Sequence, residues 1–277
     1  MTTITSPTKT IDPFAPGTPA SAWHFLHHLN PLSKVIAVIP AMLALVFVRD
    51  LATPVCFIVF AYIMILVGAR ITARTAALLF LAIPIGIAAI GFGFSIWVDA
   101  AGVDDTSPFV QIGEWTLFTG ALQVGFATAL RLAAILGLAL IGGLTTTGPD
   151  LVRSSIQQLR VPYRIGYTAL AAYRFVPRFG HELAVIRAAH RVRGHHGGRG
   201  PIARISRGWG YIVPLLAGAI RHAERVALAM DARAFGAHAT RTERYIVPFR
   251  TRDVIFIAIL LMATVAIFIV SFPWQLH

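Results

Sequence analysis

The stretch that decides the organisation of the chain runs from Gly148 to Arg252 and holds two helix-like runs that each end in an arginine. The first run closes in A-A-H-R-V-R-G, residues 188–194, and the second closes in A-L-A-M-D-A-R-A-F-G, residues 227–236. This stretch carries 18 Arg against 5 acidic residues, a formal charge of +13, whereas the whole chain of 277 residues carries +12. The excess positive charge therefore lies in one segment.

The composition is that of a membrane protein. Hydrophobic residues make up 56% of the chain and charged residues 13%, with a mean hydropathy of +0.71, whereas about a quarter of the residues of a soluble domain are charged. The surplus apolar surface must face a lipid bilayer. Because the basic residues lie beside apolar runs, the positive-inside rule explains them, and we expect no nucleic-acid partner.

Five apolar runs predict about five transmembrane helices. Each run approaches or exceeds the length of helix that crosses a hydrocarbon core of ~30 Å. The runs lie at about 35–48, 52–67, 75–98, 117–144 and 254–272. The predicted fold is therefore an all-α polytopic membrane protein with an additional cytoplasmic domain of amphipathic helices.

The domain boundaries follow from these runs. Residues 1–30 are expected to form a disordered cytoplasmic tail, since they lack the basic start and early apolar core of a signal peptide. Residues 31–147 hold transmembrane helices 1 to 4, and residues 148–252 form the cytoplasmic domain. Residues 253–277 hold the last transmembrane helix.

The distribution of Lys and Arg predicts the orientation. The loop with Arg70 and Arg74 is basic, as is the segment 148–252, whereas the loop 99–114 carries four acidic residues and no Lys or Arg. By the positive-inside rule, the basic segments and the N-terminus are cytoplasmic and the C-terminus is outside. We expect a multi-pass protein of the cell membrane in this orientation.

Two features of the apolar runs are unusual. The third run contains Gly86, Gly91 and Gly93, and small residues at such spacing either let helices pack closely in lipid or mark a kink near Pro84. Arg131 lies in the middle of the fourth run, where an arginine costs at least ~2.5–3.5 kcal/mol unless it faces protein or water. Since no other run holds an acidic residue, we expect Arg131 to contact backbone carbonyls within the bundle or another subunit.

Helical periodicity predicts two amphipathic helices in the basic segment. From residue 205 the apolar residues recur at steps of three or four, which keeps them on one face of a helix ~45 Å long. An earlier run at about 176–193 has a similar apolar stripe. The stripe of the later helix comprises Ile205, Trp209, Ile212, Leu216, Ile220, Ala223, Ala227, Met230 and Ala234.

Both predicted helices end in an arginine beside a small residue, Arg193 before Gly194 and Arg233 before Ala234. Arginine in a last turn favours the helix dipole and glycine is a frequent stop signal, so each end is compatible with simple capping. Two such ends, with small neighbours that leave the guanidinium sterically free, favour a second interpretation. The planar fork of arginine suits bidentate contact with carboxylates, and the two ends would engage two copies of an acidic partner.

Motifs of an enzyme are missing from the sequence. The chain's lysines, Lys9 and Lys34, follow no glycine-rich loop, so there is no P-loop. Cys56 is the single cysteine, and His195 and His196 lie in a glycine-rich loop without acidic neighbours, so neither a disulfide nor a metal site is expected. We predict no enzymatic activity and no directly bound cofactor.

At the two helix ends the chain resembles the transmembrane T component of energy-coupling factor (ECF) transporters, the ABC-type importers of vitamins and transition-metal ions. That family carries two Ala-Arg-Gly triplets at the ends of cytoplasmic coupling helices, which fall here on Val192-Arg193-Gly194 and Ala232-Arg233-Ala234. Both arginines match, whereas Val192 and Ala234 depart from the pattern. Supporting similarity covers most of the chain after the tail, notably residues 29–34, 131, 144–149 and 159–182.

The resemblance implies a mechanism and a set of partners. Two ABC ATPase subunits bind one T component, and each accepts one triplet arginine in a groove. A small membrane S component captures the vitamin or transition-metal ion, and the ATPase subunits use the ATP. The stripe residues Trp209, Leu216, Ile220 and Met230, together with Arg131, are expected to contact the S component or to seal the platform against the spans.

Three other interpretations remain open at this point. A conventional ABC permease would need polar groups within the membrane to bind its substrate, and a polytopic lipid enzyme would need clustered His, Asp or Glu at the membrane edge. A scaffold on an anionic membrane surface would explain the charge of the basic segment but not its two matched helix ends.

Overall fold

A computed structural model of the protein describes residues 24–98, 107–112, 115–193, 200–238, 240, 242–243 and 245–271. The predicted tail lies outside the described residues up to residue 23, as does most of the acidic loop. The last part of the predicted tail, residues 24–30, is ordered, because Leu26 and Leu29 are buried in the core. The chain divides into two compact units. The first comprises Met1–Thr146 and Phe249–His277, and the second comprises Thr147–Pro248.

The first unit is a bundle of apolar helices. In the described residues it comprises a 3-10 turn (Phe25–His28), α1 (Pro31–Val46), α2 (Ala52–Gly68), α3 (Ala73–Ala77), a π-helical turn (Leu78–Ala82), α4 (Ile83–Trp97), α5 (Thr119–Thr145) and α9 (Thr251–Ser271). The segments Ala73–Trp97, Thr119–Thr145 and Thr251–Ser271 are long and apolar enough to cross a membrane, and α1 and α2 are shorter apolar helices. The predicted all-α polytopic membrane fold is confirmed.

A short hairpin that was not predicted precedes α5. Strands β1 (Pro108–Ile112) and β2 (Trp115–Phe118) pair in antiparallel fashion, with Ile112 opposite Trp115. The sequences F-V-Q-I and W-T-L-F are rich in the aromatic and β-branched residues that favour strands. The loop therefore contains local structure that charge counting alone does not reveal.

Helix α5 lies at the centre of the first unit, in contact with α1, α2 and α4. Its buried positions recur every three or four residues and are mostly Ala and Gly, which lets neighbouring helices approach its backbone. Around it, α1, α2 and α9 contribute large, fully buried apolar side chains. These include Leu45, Phe57, Ile65 and Leu260.

The contact between α4 and α5 depends on a glycine. A Cβ on Gly125 would lie 2.5 Å from the carbonyl oxygen of Gly91 and 2.8 Å from the backbone nitrogen of Ser95. A Cβ on Gly91 would in turn lie 3.1 Å from the ring of Phe126. Helices α4 and α5 therefore pack closely through small residues at Gly91 and Gly125.

The predicted kink near Pro84 takes the form of a π-helical turn. Pro84 has no N–H for the carbonyl of Phe80, and its ring crowds that carbonyl. The helix widens at Leu78–Ala82, immediately before the proline, as is common where the regular hydrogen-bond ladder is interrupted. Nothing described lies within 4 Å of a Cβ placed on Gly86 or Gly93, so these two glycines do not mediate packing inside the described chain.

We predict that Gly125→Ala lowers the stability of the protein by about 1–3 kcal/mol, because the added methyl group must push two backbones apart. The matched control is Gly143→Ala on the same helix, where a Cβ meets nothing within 4 Å and alanine favours the helix by up to ~1 kcal/mol. Unfolding of both variants in detergent measures the difference. Equal stability of the two variants would contradict the close approach of α4 and α5.

In its described residues, the second unit comprises three helices and a segment that follows them. The helices are α6 (Gly148–Gln158), α7 (Tyr163–Val192) and α8 (Pro201–Asp231), and residues 232–248 form the return segment. Helix α7 begins well before the predicted start at 176. Helix α8 begins at Pro201, slightly before the predicted start at 205. Each helix accommodates an internal proline, Pro177 in α7 and Pro214 in α8, because packing of the flanking turns offsets one lost backbone hydrogen bond.

Side chains of α6 and α7 hold the end of the return segment. The amide of Gln157 donates to the carbonyl of Tyr245 at 2.8 Å and accepts from the N–H of Val247 at 2.9 Å. The hydroxyl of Tyr167 donates to the carboxylate of Glu243 at 2.7 Å. These contacts hold Glu243, Tyr245 and Val247 against the first two helices of the unit.

Candidate partner-binding interface

The second arginine triplet forms the end of α8 as a Schellman motif. The N–H of Phe235 donates to the carbonyl of Met230 at 3.0 Å, and the N–H of Ala234 donates to the carbonyl of Asp231 at 2.9 Å. Ala234 adopts the left-handed conformation that this motif requires, with φ of 55°. Arg233 is therefore the last residue before the chain turns away from the helix axis.

The first triplet lies at the corresponding end of α7. Arg193 is the C-cap residue, and its N–H donates to the carbonyl of Ala189 at 3.1 Å. The preceding Val192 is 90% exposed. The third member of the triplet, Gly194, lies outside the described residues.

Neither triplet arginine has an intramolecular partner among the described residues. Both side chains are exposed, and neither forms a hydrogen bond, an ion pair or a ring contact there. Arg153 of the same unit, by contrast, pairs with Asp150 at 3.0 Å. The two helix ends thus present guanidinium groups with all their donors available.

The turn after the second triplet is fixed from α7. The guanidinium of Arg164 donates to the carbonyl of Gly236, and the hydroxyl of Tyr163 donates to the carbonyl of His238 at 2.5 Å. The ring of Tyr163 also packs edge-on against Phe235, with centroids 5.8 Å apart. Sequence reasoning missed these two residues, because they act on backbone groups more than 70 positions away along the chain.

Helices α7 and α8 pack through a seam that periodicity did not predict. The ring of Phe175 stacks on His222 with centroids 4.4 Å apart, and that of His190 lies edge-on to Tyr211 at 5.3 Å. Between these pairs, Gly218 is buried against the carboxylate of Glu182. The seam of α8 thus runs along 211, 218 and 222, beside the predicted apolar stripe.

The predicted stripe of α8 is left largely uncovered within its unit. Trp209 is 70% exposed, Leu216 58% and Ile220 52%, whereas Met230 is half-buried. Side chains at 201–207 are not described. Large apolar side chains aligned on one exposed helix face are typical of an interaction surface.

Arg131, in the middle of α5, has a partner within its own unit. Its Nη1 donates to the carbonyl of Val46 at 3.1 Å. Val46 is the last residue of α1, where carbonyls have no partner in their own helix. The sequence left two contacts open for Arg131, a backbone carbonyl within the bundle or another subunit, and this contact is of the first kind.

The fold defines the class of the protein. An apolar helical bundle with three membrane-span candidates is joined to a basic unit whose two long helices end in exposed arginines. This is a multi-pass membrane protein with a second, basic unit of helices. Among the described residues, no group of three or more His, Cys, Asp or Glu side chains is placed to hold a metal ion.

Comparison with known proteins identifies the family. The chain matches the family of cobalt transport proteins (CbiQ) over residues 23–244, and it belongs to this family. The matched region contains both arginine triplets and confirms the resemblance to the energy-coupling factor proteins.

Individual relatives agree with this assignment. The energy-coupling factor transporter transmembrane protein EcfT of Staphylococcus aureus is 26% identical over 260 residues, which cover 90% of this chain and 93% of that protein. EcfT of Streptococcus equi is 23% identical over 261 residues, with 91% and 94% covered. A protein of Bifidobacterium longum named for ABC-transporter ATP binding is 28% identical over 274 residues, which cover 94% of this chain but 34% of that protein.

We predict that Ala234→Gly stabilises the second unit by about 0.5–1 kcal/mol. Relief of the left-handed conformation, which costs an L-residue ~1–2 kcal/mol, exceeds the extra backbone entropy that glycine loses, ~0.5–1 kcal/mol. The matched control, Ala227→Gly inside α8, should lower stability by about 1 kcal/mol. Thermal unfolding in detergent compares the two, and a loss of stability in both would show that residue 234 is not left-handed.

Proposed function

We propose that this protein is the transmembrane coupling subunit of an ECF-type importer. In this role it links ATP hydrolysis by two separate ABC ATPase subunits to the movement of a small membrane S component that carries a vitamin or a transition-metal ion. The observation that carries the proposal is the pair of long helices, α7 and α8, that end in the exposed, unpartnered arginines Arg193 and Arg233. Membership of the cobalt transport family and similarity to EcfT proteins support it.

The chemistry of the two ends suits two copies of one partner. A guanidinium at a C-cap projects beyond the helix, and its planar donors match a carboxylate pair in a groove. The formal charge of +13 on residues 148–252 would attract an acidic surface and orient it before contact. We therefore assign Val192, Arg193 and Gly194 to one ATPase subunit, and Ala232, Arg233 and Ala234 to the other.

The exposed face of α8 suits a different, apolar partner. Trp209, Leu216 and Ile220 lie on that face with more than half of each side chain exposed, and Met230 continues it toward the helix end. We assign this surface to the S component or to the underside of the membrane-spanning helices. In the membrane, Arg131 uses one donor on Val46, and its other donors would serve a partner subunit.

We also propose an orientation of the chain in the membrane and a separate role for each subunit. The basic second unit and the N-terminus face the cytoplasm, where the ATPase subunits hold ATP, and the C-terminus is outside. The S component holds the cargo, so this chain itself binds no cofactor and catalyses no reaction. Its role is to transmit the movement of the ATPase subunits to the S component.

Affinity purification of the tagged chain from its native membrane in mild detergent tests the proposal. We expect recovery of two P-loop ATPase subunits for each chain, together with a small hydrophobic third protein whose ligand names the cargo. Arg193→Glu or Arg233→Glu alone should leave one ATPase for each chain, and the double variant should leave none. Reversal of charge in a desolvated contact costs several kcal/mol, or more than about a hundredfold in affinity.

The matched controls are Arg178→Glu on α7 and Arg225→Glu on α8, which are exposed arginines away from the helix ends. Each changes the net charge as much as a triplet variant does, so a purely electrostatic platform would respond equally to all four. Unchanged ATPase recovery in the double variant would refute the two-anchor arrangement. Salt-sensitive binding to anionic vesicles, without any ATPase partner, would instead support a membrane-surface scaffold.

A further inference from the structure

The chain passes between its two units at two places, after Thr146 and after Pro248. Both passages are short, because α5 ends at Thr145 and α6 begins at Gly148, while α9 begins at Thr251. A few residues of chain span about 3.3–3.6 Å each when fully extended. Each passage therefore lies within a few residues of an end of a first-unit helix, α5 or α9.

Lys34, near the start of α1, holds the end of α5 that leads into the first passage. The Nζ of Lys34 donates to the backbone carbonyl of Thr145 at 2.9 Å and to its Oγ1 at 3.1 Å. Lys34 is 1% exposed and Thr145 is 5% exposed. A cation at the C-terminus of α5 meets carbonyls that the helix leaves unsatisfied, so dipole and hydrogen bonds act together.

The second passage is held by the same turn of α1. One carboxylate oxygen of Asp253 accepts from the N–H of Asn30 at 2.7 Å and from the hydroxyl of Ser33 at 3.2 Å. Its other oxygen accepts from the N–H of Arg250 at 2.7 Å. Asp253 is 1% exposed and lies in the first turn of α9, where the helix dipole favours an anion.

We propose that residues 30–34, the anchor turn, position both passages so that displacement of the second unit is delivered to α5 and α9. Asn30, Ser33, Lys34 and Asp253 are then positioning residues for coupling. They bind neither the ATPase subunits nor the cargo. This proposal rests on the coupling function proposed above, but its structural part, the fixing of two passages by one turn, can be tested without any partner.

Burial gives the anchor turn its stiffness. A charged group removed from water must keep its partners, because the alternative is an unsatisfied charge in an apolar core. Lys34 and Asp253 are each held by at least two hydrogen bonds within their own unit. Sliding of either passage would break several of these bonds at once.

Hydrogen exchange of the purified chain in detergent tests the structural part. In Lys34→Met, the backbone amides around 145–147 should exchange about tenfold faster or more. In Asp253→Asn, the backbone amides at 249–253 should show the same increase. In each variant a buried group loses its hydrogen-bond partner, which favours local opening. Milder variants, Thr145→Val and Ser33→Ala, serve if the first two fail to fold. The matched controls are Thr264→Val and Ser95→Ala, which remove hydroxyls that bond only to carbonyls of their own helices. Equal exchange in variants and controls overturns the proposal.

Coupling is tested on the assembled complex in proteoliposomes. The readout is uptake for each ATP hydrolysed, with ⁵⁷Co²⁺ as the first probe and otherwise the labelled vitamin that the purified wild-type complex retains. We expect Lys34→Met and Asp253→Asn, or the milder pair, to recover the ATPase subunits and hydrolyse ATP while this ratio falls at least about threefold, since loosened passages dissipate movement. A parallel fall in uptake and hydrolysis, with the ratio unchanged, overturns the positioning role. Absence of ATPase from the wild-type chain is a different result and refutes the proposed function instead.

Discussion

A charge or a backbone polar group is stable in an apolar bundle only when hydrogen bonds replace the water it has lost. The first unit meets this constraint at helix ends, where carbonyls and N–H groups have no partner in their own helix. Lys34 and Arg131 donate to the last carbonyls of α5 and α1, and Asp253 accepts N–H groups at the starts of α1 and α9. Helix α1 is thus tied by polar contacts at both ends, while its middle contributes apolar side chains to the core.

The second unit uses helix ends in the opposite way. Water can hydrate an unpaired guanidinium at an exposed helix end, so Arg193 and Arg233 need no partner within the described chain. Their exposure leaves them available, in the proposed function, to carboxylates of another subunit, whose binding would offset the large positive charge of the unit. An uncovered apolar face on α8 adds a second unfavourable surface that burial would remove. The unit is therefore better suited to an assembly than to isolation.

Much of this architecture follows from the sequence, because hydropathy and Lys/Arg asymmetry report directly on the bilayer. The five apolar runs lie where apolar helices form, and the arginine-ended helices exist with ends close to those predicted. What sequence patterns did not reveal depends on contacts between distant residues. The seam of Phe175, Gly218 and His222, the hold of Arg164 on Gly236 and the bonds of Lys34 to Thr145 are of this kind. Helix α7 begins at Tyr163, well before the start at 176 that its apolar stripe predicted.

The geometry of the second triplet also shows that capping and anchoring need not be competing interpretations. A Schellman motif requires a residue in the left-handed conformation directly after the last helical residue. A small residue adopts that conformation at the lowest steric cost. The turn it creates leads the backbone away from the helix axis, which leaves the C-cap side chain beside open space. In this chain alanine occupies the left-handed position, and the resulting strain is offset by contacts beyond it. Tyr163 and Arg164 fix the return segment at Phe235, Gly236 and His238, so the position of Arg233 depends on the start of α7 as well as on the end of α8.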